Sequence, residues 1–174
     1  MKDIADHIVD LSRDLGARLL TQHLMIATAE SCTAGGIAYA ITQTAGSSQW
    51  FDRSFITYSN ASKQQLLGVS TAYLRDFGAV SEPVARAMAL GALTQSQAQI
   101  TVAVTGVAGP GGGTPDKPVG MVCFAWAIKR DPSNAPWVRT ATRQFSGDRA
   151  AVRTQAIIEA LQGSIGLLKQ RQDV

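Results

Sequence analysis

Apolar residues recur at three- and four-residue steps near the start of the chain: Ile4, Ile8, Leu11, Leu15 and Leu19. That period places them on one side of a helix over residues 3–21. The run Leu24–Ala29 is short and apolar apart from Thr28, which predicts a strand. It breaks abruptly into TAESCTAGG, where a carboxylate, hydroxyls, a thiol and two glycines crowd one turn, and apolar periodicity resumes as a helix over 33–44. After the Gly46-Ser47-Ser48 break, Phe55, Ile56, Thr57 and Tyr58 predict a second strand within 51–59. SNASKQQLLG then reads as a short capped helix ending at Gly68, and Ser81-Glu82-Pro83 starts another with Val84, Met88 and Ala92 inward.

The second half alternates differently. Residues 100–105 form a β-branched apolar run, predicting a buried strand that opens directly into the loop GVAGPGGGTPDKP. Residues 119–128 and 137–145 predict two strands of an antiparallel hairpin turning at Asp131-Pro132-Ser133-Asn134. A last helix over 148–169 carries Val152, Ala156, Ile157, Leu161, Ile165 and Leu168 on its buried stripe. Helices alternating with strands, then a hairpin, predict an α/β fold: a three-layer α/β/α sandwich with a mixed, mostly parallel sheet and a late antiparallel hairpin.

Composition narrows the function classes. With 174 residues, 45% hydrophobic and 17% charged, the chain is expected to bury one sizeable core as a single domain over 1–174. A net charge of +3 comes from scattered Lys and Arg without a basic block, so no strong nucleic-acid signal is present. Cys32 and Cys123 lack CxxC spacing and His7 and His23 lack a clustered ligand set, which argues against a zinc site or disulfide framework and fits a reducing cytoplasm. The N-terminal pattern carries charges throughout, unlike a signal peptide or membrane span.

Chemistry concentrates at three loops expected beyond strand ends, where ligands bind in open α/β sheets. Ser31 stands at a strand-to-helix turn, where helix amides favour developing negative charge; a good oxyanion donor there is worth about 2.7 to 4 kcal/mol of barrier. The alternative is that Ser31 or Thr33 simply caps the helix. Cys32 is intrinsically the better nucleophile, but a free Cys is more often a small buried hydrophobe. Lys63 is the candidate base for a serine nucleophile, provided burial or cationic neighbours lower its pKa; the alternative is a solvated surface lysine. The glycine loop matches neither GxGxxG nor GxxxxGK[ST], yet its amides can approach an anion closely; it can also be a connector stiffened by its prolines. Arg149 and Arg153 sit in the first turns of the last helix, where the dipole disfavours cations, so a bound anion explains one of them, the alternative being a surface salt bridge.

Together, TAESCTAGG, YSNASKQQLLGV, VSEPVARAMA, VAVTGVAGPGGGTPDKPVG and GDRAAVR resemble the C-terminal domain family of the competence/damage-inducible protein CinA, from about residue 5 to residue 168. The resemblance implies hydrolysis of nicotinamide mononucleotide (NMN) to nicotinate mononucleotide and ammonia, a step of NAD salvage, with no cofactor and no metal. Carried over by position, Ser31 is the nucleophile, Lys63 its base, and Tyr58 and Thr105 position the reacting groups. Glu30 and Thr33 are expected at the bound substrate, Glu30 also orienting neighbouring groups, and Gly109, Gly111, Gly112, Gly113 and Arg149 hold the nucleotide. A non-catalytic domain that binds a nucleotide or protein partner, connected with competence or DNA damage, is the alternative, and an amidase of another carboxamide a third reading. The late hairpin edge leads to the expectation of a homodimer.

Overall fold

The computed structural model describes residues 3–130 and 133–172. Five strands, β1 (Ile26–Glu30), β2 (Phe51–Ile56), β3 (Ile100–Gly106), β4 (Met121–Ile128) and β5 (Trp137–Gln144), form one sheet in the order β2-β1-β3-β4-β5. The pairs β1/β2 and β1/β3 are parallel, while β3/β4 and β4/β5 are antiparallel. Four of the five strands therefore point one way, and the expected hairpin is present with Ile128 opposite Trp137. Asp131 and Pro132 of its expected turn lie outside the described residues.

The helices are α1 (Ile4–Thr21), α2 (Gly36–Thr42), α3 (Asn60–Leu67), α4 (Thr71–Phe77), α5 (Glu82–Thr94) and α6 (Arg149–Gln172). On one sheet face, Ile26, Ile100, Val102, Val104, Phe124 and Trp126 pack against α1, α2 and α6. On the other, Ala29, Ala103, Cys123, Ala125 and Ala127 pack against α3, α4 and α5. Alternation along β3 explains this: Ile100, Val102 and Val104 project to the bulky face, Thr101, Ala103 and Thr105 to the other. Small side chains there let α5 lie close, and Thr101 Oγ1 donates to Ala89 O at 2.9 Å.

Three boundaries depart from the apolar pattern. Leu24 and Met25 precede β1 because α1 closes with His23 in the left-handed region (φ 53) and the Leu24 amide donating to Leu19 O. The apolar Leu24 packs back under the helix end, as such closures favour. Helix α2 begins at Gly36 rather than near Thr33. Helix α4 has seven residues, too few to show a helical period, and is started by the Ser70 hydroxyl accepting from Tyr73 N. Among the described residues no helix is long and apolar enough to cross a membrane.

One close approach fixes the height of α3 above the sheet. A Cβ added at Gly91 of α5 would lie 2.0 Å from Leu67 O, a backbone atom at the end of α3. Gly91→Ala therefore overpacks the α3–α5 contact, at a cost of about 1–3 kcal/mol that exceeds the roughly 1 kcal/mol gained in helix propensity. The expected outcome is a lower thermal midpoint, by about 2–4 °C per kcal/mol of net loss. An unchanged or raised midpoint in scanning calorimetry contradicts this packing argument.

Candidate active site

Glu30, the last residue of β1, is fully buried, and its carboxylate organises the turn that follows. Oε2 accepts from Thr33 Oγ1 (2.7 Å), Gly35 N (3.1 Å) and Ile37 N (3.0 Å), and Oε1 accepts from Ala38 N (2.9 Å). The Thr28 and Ser54 hydroxyls complete its shell at 3.2 and 3.3 Å. A carboxylate at a helix N-terminus satisfies free amides and complements the dipole. Neither Ser31 nor Thr33 is the cap. Ala34 (φ 48) and Gly35 (φ 90) then take left-handed conformations that turn the chain into α2.

This arrangement corrects two sequence expectations. Glu30 and Thr33 do not face a ligand: both are fully buried, and the Thr33 hydroxyl donates to Glu30. The first amides of α2 are also not available to an oxyanion, because Glu30 takes those of Gly35, Ile37 and Ala38.

Ser31 is held beyond the sheet by its amide donating to Val104 O at 3.0 Å, which joins the ends of β1 and β3. Its hydroxyl lies 3.0 Å from Lys63 Nζ, and Nζ also donates to Thr57 O at 2.7 Å. Helix α3 delivers that lysine. The Ser59 hydroxyl accepts from Ser62 N while Ser62 Oγ accepts from Ser59 N, a reciprocal cap that starts the helix at Asn60. Lys63 is 1% exposed and forms no ion pair among the described residues. Burial, which disfavours the charged amine, lowers its pKa from the usual 10.5. The surface-lysine alternative is thereby excluded.

Cys32 takes the bland alternative. Burial, reinforced by the Glu30 charge, pushes its thiol up to about 11, so it stays protonated at neutral pH. Thr105 is buried at the end of β3, with its hydroxyl donating to Ala79 O at 2.9 Å. Tyr58 is 59% exposed, and its phenol oxygen accepts from Arg149 Nη2 at 2.9 Å. Arg149 Nη1 donates to Gly109 O at 2.9 Å, so this guanidinium joins the tyrosine to the glycine loop.

Ser31, Lys63, Tyr58 and Thr105 thus line one cavity of about 220 Å³, with Arg149 at its edge. A second cavity, about 670 Å³, shares Ala108 and Arg149 with the first and is also lined by Gly109 and Arg153. Of the glycines expected at the ligand, only Gly109 reaches a cavity wall; Gly111, Gly112 and Gly113 are exposed and line neither cavity. Local geometry accounts for two of them: Gly112 has φ +85, and a Cβ at Gly113 would sit 2.8 Å from Val119 N. Sequence reasoning missed Asn60, which lines the smaller cavity from the first position of α3, and the Thr57 carbonyl, a main-chain acceptor that no residue type announces. The placement of Asn60 beside Tyr58 in YSNASK was the available signal. No group of three or more His, Cys, Asp or Glu side chains able to hold a metal occurs among the described residues.

Comparisons with known proteins agree with this architecture. An Enterobacter agglomerans protein named nicotinamide-nucleotide amidohydrolase PncC is 52% identical over 156 residues, covering 90% of this chain and 92% of its own. The protein of that name from Escherichia coli K12 is 48% identical over 155 residues, covering 89% and 91%. The crystal structure of the competence/damage inducible protein CihA from Agrobacterium tumefaciens superposes with a TM-score of 0.85 at 43% identity, covering 92% of this chain and 95% of that one. A CinA superfamily structure from Klebsiella pneumoniae gives a TM-score of 0.87 at 32% identity, covering 94% and 98%. The model of the CinA C-terminal domain matches residues 9–168, and with the fold and relatives this establishes that the chain belongs to the CinA C-terminal domain family.

Proposed function

We propose that this chain is an amidohydrolase that converts NMN to nicotinate mononucleotide and ammonia, within pyridine-nucleotide (NAD) salvage, using Ser31 as nucleophile and Lys63 as its base. The observation that carries the reading is the 3.0 Å contact between Ser31 Oγ and a buried Lys63 Nζ that has no carboxylate partner among the described residues. Relatives near 50% identity that bear the amidohydrolase name over almost their whole length support the substrate.

Neutral Lys63 accepts the Ser31 hydroxyl proton as Oγ bonds to the carboxamide carbon. The pyridinium ring of NMN withdraws electrons from that carbon and eases the attack. The resulting oxyanion forms beside the turn that follows Ser31, where Cys32 lines the cavity. Lys63 then returns its proton to the leaving nitrogen, and ammonia departs as the carbon–nitrogen bond breaks. Water attacks the acyl-enzyme with Lys63 again taking the proton; Oγ leaves as the ester bond breaks and recovers that proton, releasing the carboxylate. Thr57 O keeps one Lys63 N–H occupied throughout, which aims the lone pair of the neutral amine toward Ser31. Tyr58 and Thr105 shape the mouth and floor of the cavity around the reacting group.

Ser31→Ala is expected to reduce ammonia release from NMN by about four orders of magnitude or more, with an unchanged circular dichroism spectrum. A folded Ser31→Ala chain that keeps most of the wild-type rate contradicts the serine mechanism. A wild-type chain that binds NMN but releases no ammonia favours a nucleotide-binding domain instead.

The base must be neutral to act, and burial lowers its pKa from 10.5. Activity is therefore absent at low pH and rises as pH climbs through the Lys63 value, with the midpoint of the rise below the ordinary lysine value of 10.5. A pH profile of kcat/KM checks this, and Lys63→Arg, permanently charged, is expected to abolish the rising limb together with the activity. A limb centred at the ordinary lysine value, or one surviving in Lys63→Arg, assigns the base elsewhere.

A further inference from the structure

The two arginines at the start of α6 have different partners. Arg149 is exposed, and its two terminal nitrogens donate to Gly109 O and Tyr58 OH, both at 2.9 Å. Arg153, one turn further on, donates from Nη2 to Thr33 O at 3.0 Å. Its Nε is buried without a hydrogen-bond partner, and neither arginine forms an ion pair among the described residues. A half-buried cation near the positive end of a 24-residue helix, with no ion-pair partner among the described residues, is electrostatically unfavourable. The nearby carboxylate, Asp148, has Oδ1 engaged by the Ala151 amide at 2.9 Å.

Arg153 lines the larger cavity, which meets the reaction cavity at Ala108 and Arg149. A substrate whose carboxamide sits at Ser31 can therefore extend past Arg149 and reach Arg153. We infer that Arg153 recognises the phosphomonoester of the substrate, and that Arg149 is a positioning residue that fixes Tyr58 and the glycine loop. The inference rests on the reading of the chain as an NMN amidohydrolase and deepens it. Arg153 also links the two ends of the substrate physically. Its Nη2 holds the carbonyl of Thr33, two residues after Ser31, so phosphate binding at Arg153 orders the turn that carries Ser31.

The test compares ammonia release from NMN and from nicotinamide riboside, which differ by the phosphate alone. The wild type is expected to prefer NMN in kcat/KM by about 10- to 100-fold, the range of a charge-assisted contact. Arg153→Met is expected to collapse that ratio toward one, chiefly through a higher KM for NMN, and Arg153→Lys to restore part of it. Arg149→Met is expected to weaken both substrates alike and leave the ratio standing. A wild type without phosphate preference overturns the inference, as does an Arg153→Met chain that keeps the wild-type ratio; equal losses on both substrates mean that Arg153 only supports the turn. Collapse of the ratio in Arg149→Met alone assigns the phosphate to the other arginine and also overturns it. If the wild type releases ammonia from neither compound, the amidohydrolase reading fails by itself. Calorimetry with inorganic phosphate then judges the site: binding lost in Arg153→Met sustains a phosphate site, and absence of wild-type binding removes it.

Discussion

The buried carboxylate of Glu30 sets the geometry on which the site depends. A charge removed from water is tolerated only where hydrogen bonds replace its hydration, and Glu30 draws three amides and a threonine hydroxyl at 2.7–3.1 Å, with two further hydroxyls just beyond. Meeting that demand pulls the start of α2 back over the end of β1 and leaves Ser31 in the turn between them. The Glu30 carbonyl meanwhile accepts from the Thr57 amide at 2.8 Å, tying down the residue whose own carbonyl receives Lys63. One acidic side chain and its backbone thus register Ser31 against Lys63 without hydrogen-bonding to either side chain.

The second constraint is the burial of Lys63. Placing an amine at 1% exposure among a hydroxyl and a carbonyl gives its charge little compensation, and the lowered pKa is the direct result. The fold sustains this because α3 is held by its reciprocal serine cap, by Gly68 in the left-handed region and by contact with α5 at Gly91. Stability forgone at Lys63 leaves a buried amine of lowered pKa beside the Ser31 hydroxyl.

Around this dyad the α6 arginines join the two cavities. Arg149 bridges a tyrosine after β2 to the loop after β3, and Arg153 bridges α6 to the turn after β1. Loops separated by many residues become one wall because parallel strands β2, β1 and β3 end on the same edge of the sheet. The same family architecture recurs in structures at 32–43% identity, so the strand-end placement does not depend on this chain's surface residues.

Much of this was legible in the chain. Apolar periodicity announced α1, α5, α6, the three parallel strands and the hairpin, because each element presents a repeating face to a core. Ser31 and Lys63 were identifiable by type and by their place after strands, and Tyr58 and Thr105 by the resemblance to the CinA C-terminal domain family. What the pattern could not convey was short or non-local: α4 has no room for a period, and the start of α2 depends on a carboxylate five to eight residues earlier in the chain. The roles of Glu30, Thr33 and the two arginines were decided only by folding. Hydrogen-bond partners such as Arg149 and Tyr58 lie 91 residues apart, and which donors remain free for a ligand is known only after the protein has taken the others. The sequence by itself determined the elements and the chemical groups available; the tertiary structure decided which of those groups are used up holding the turn and which are left facing the cavity.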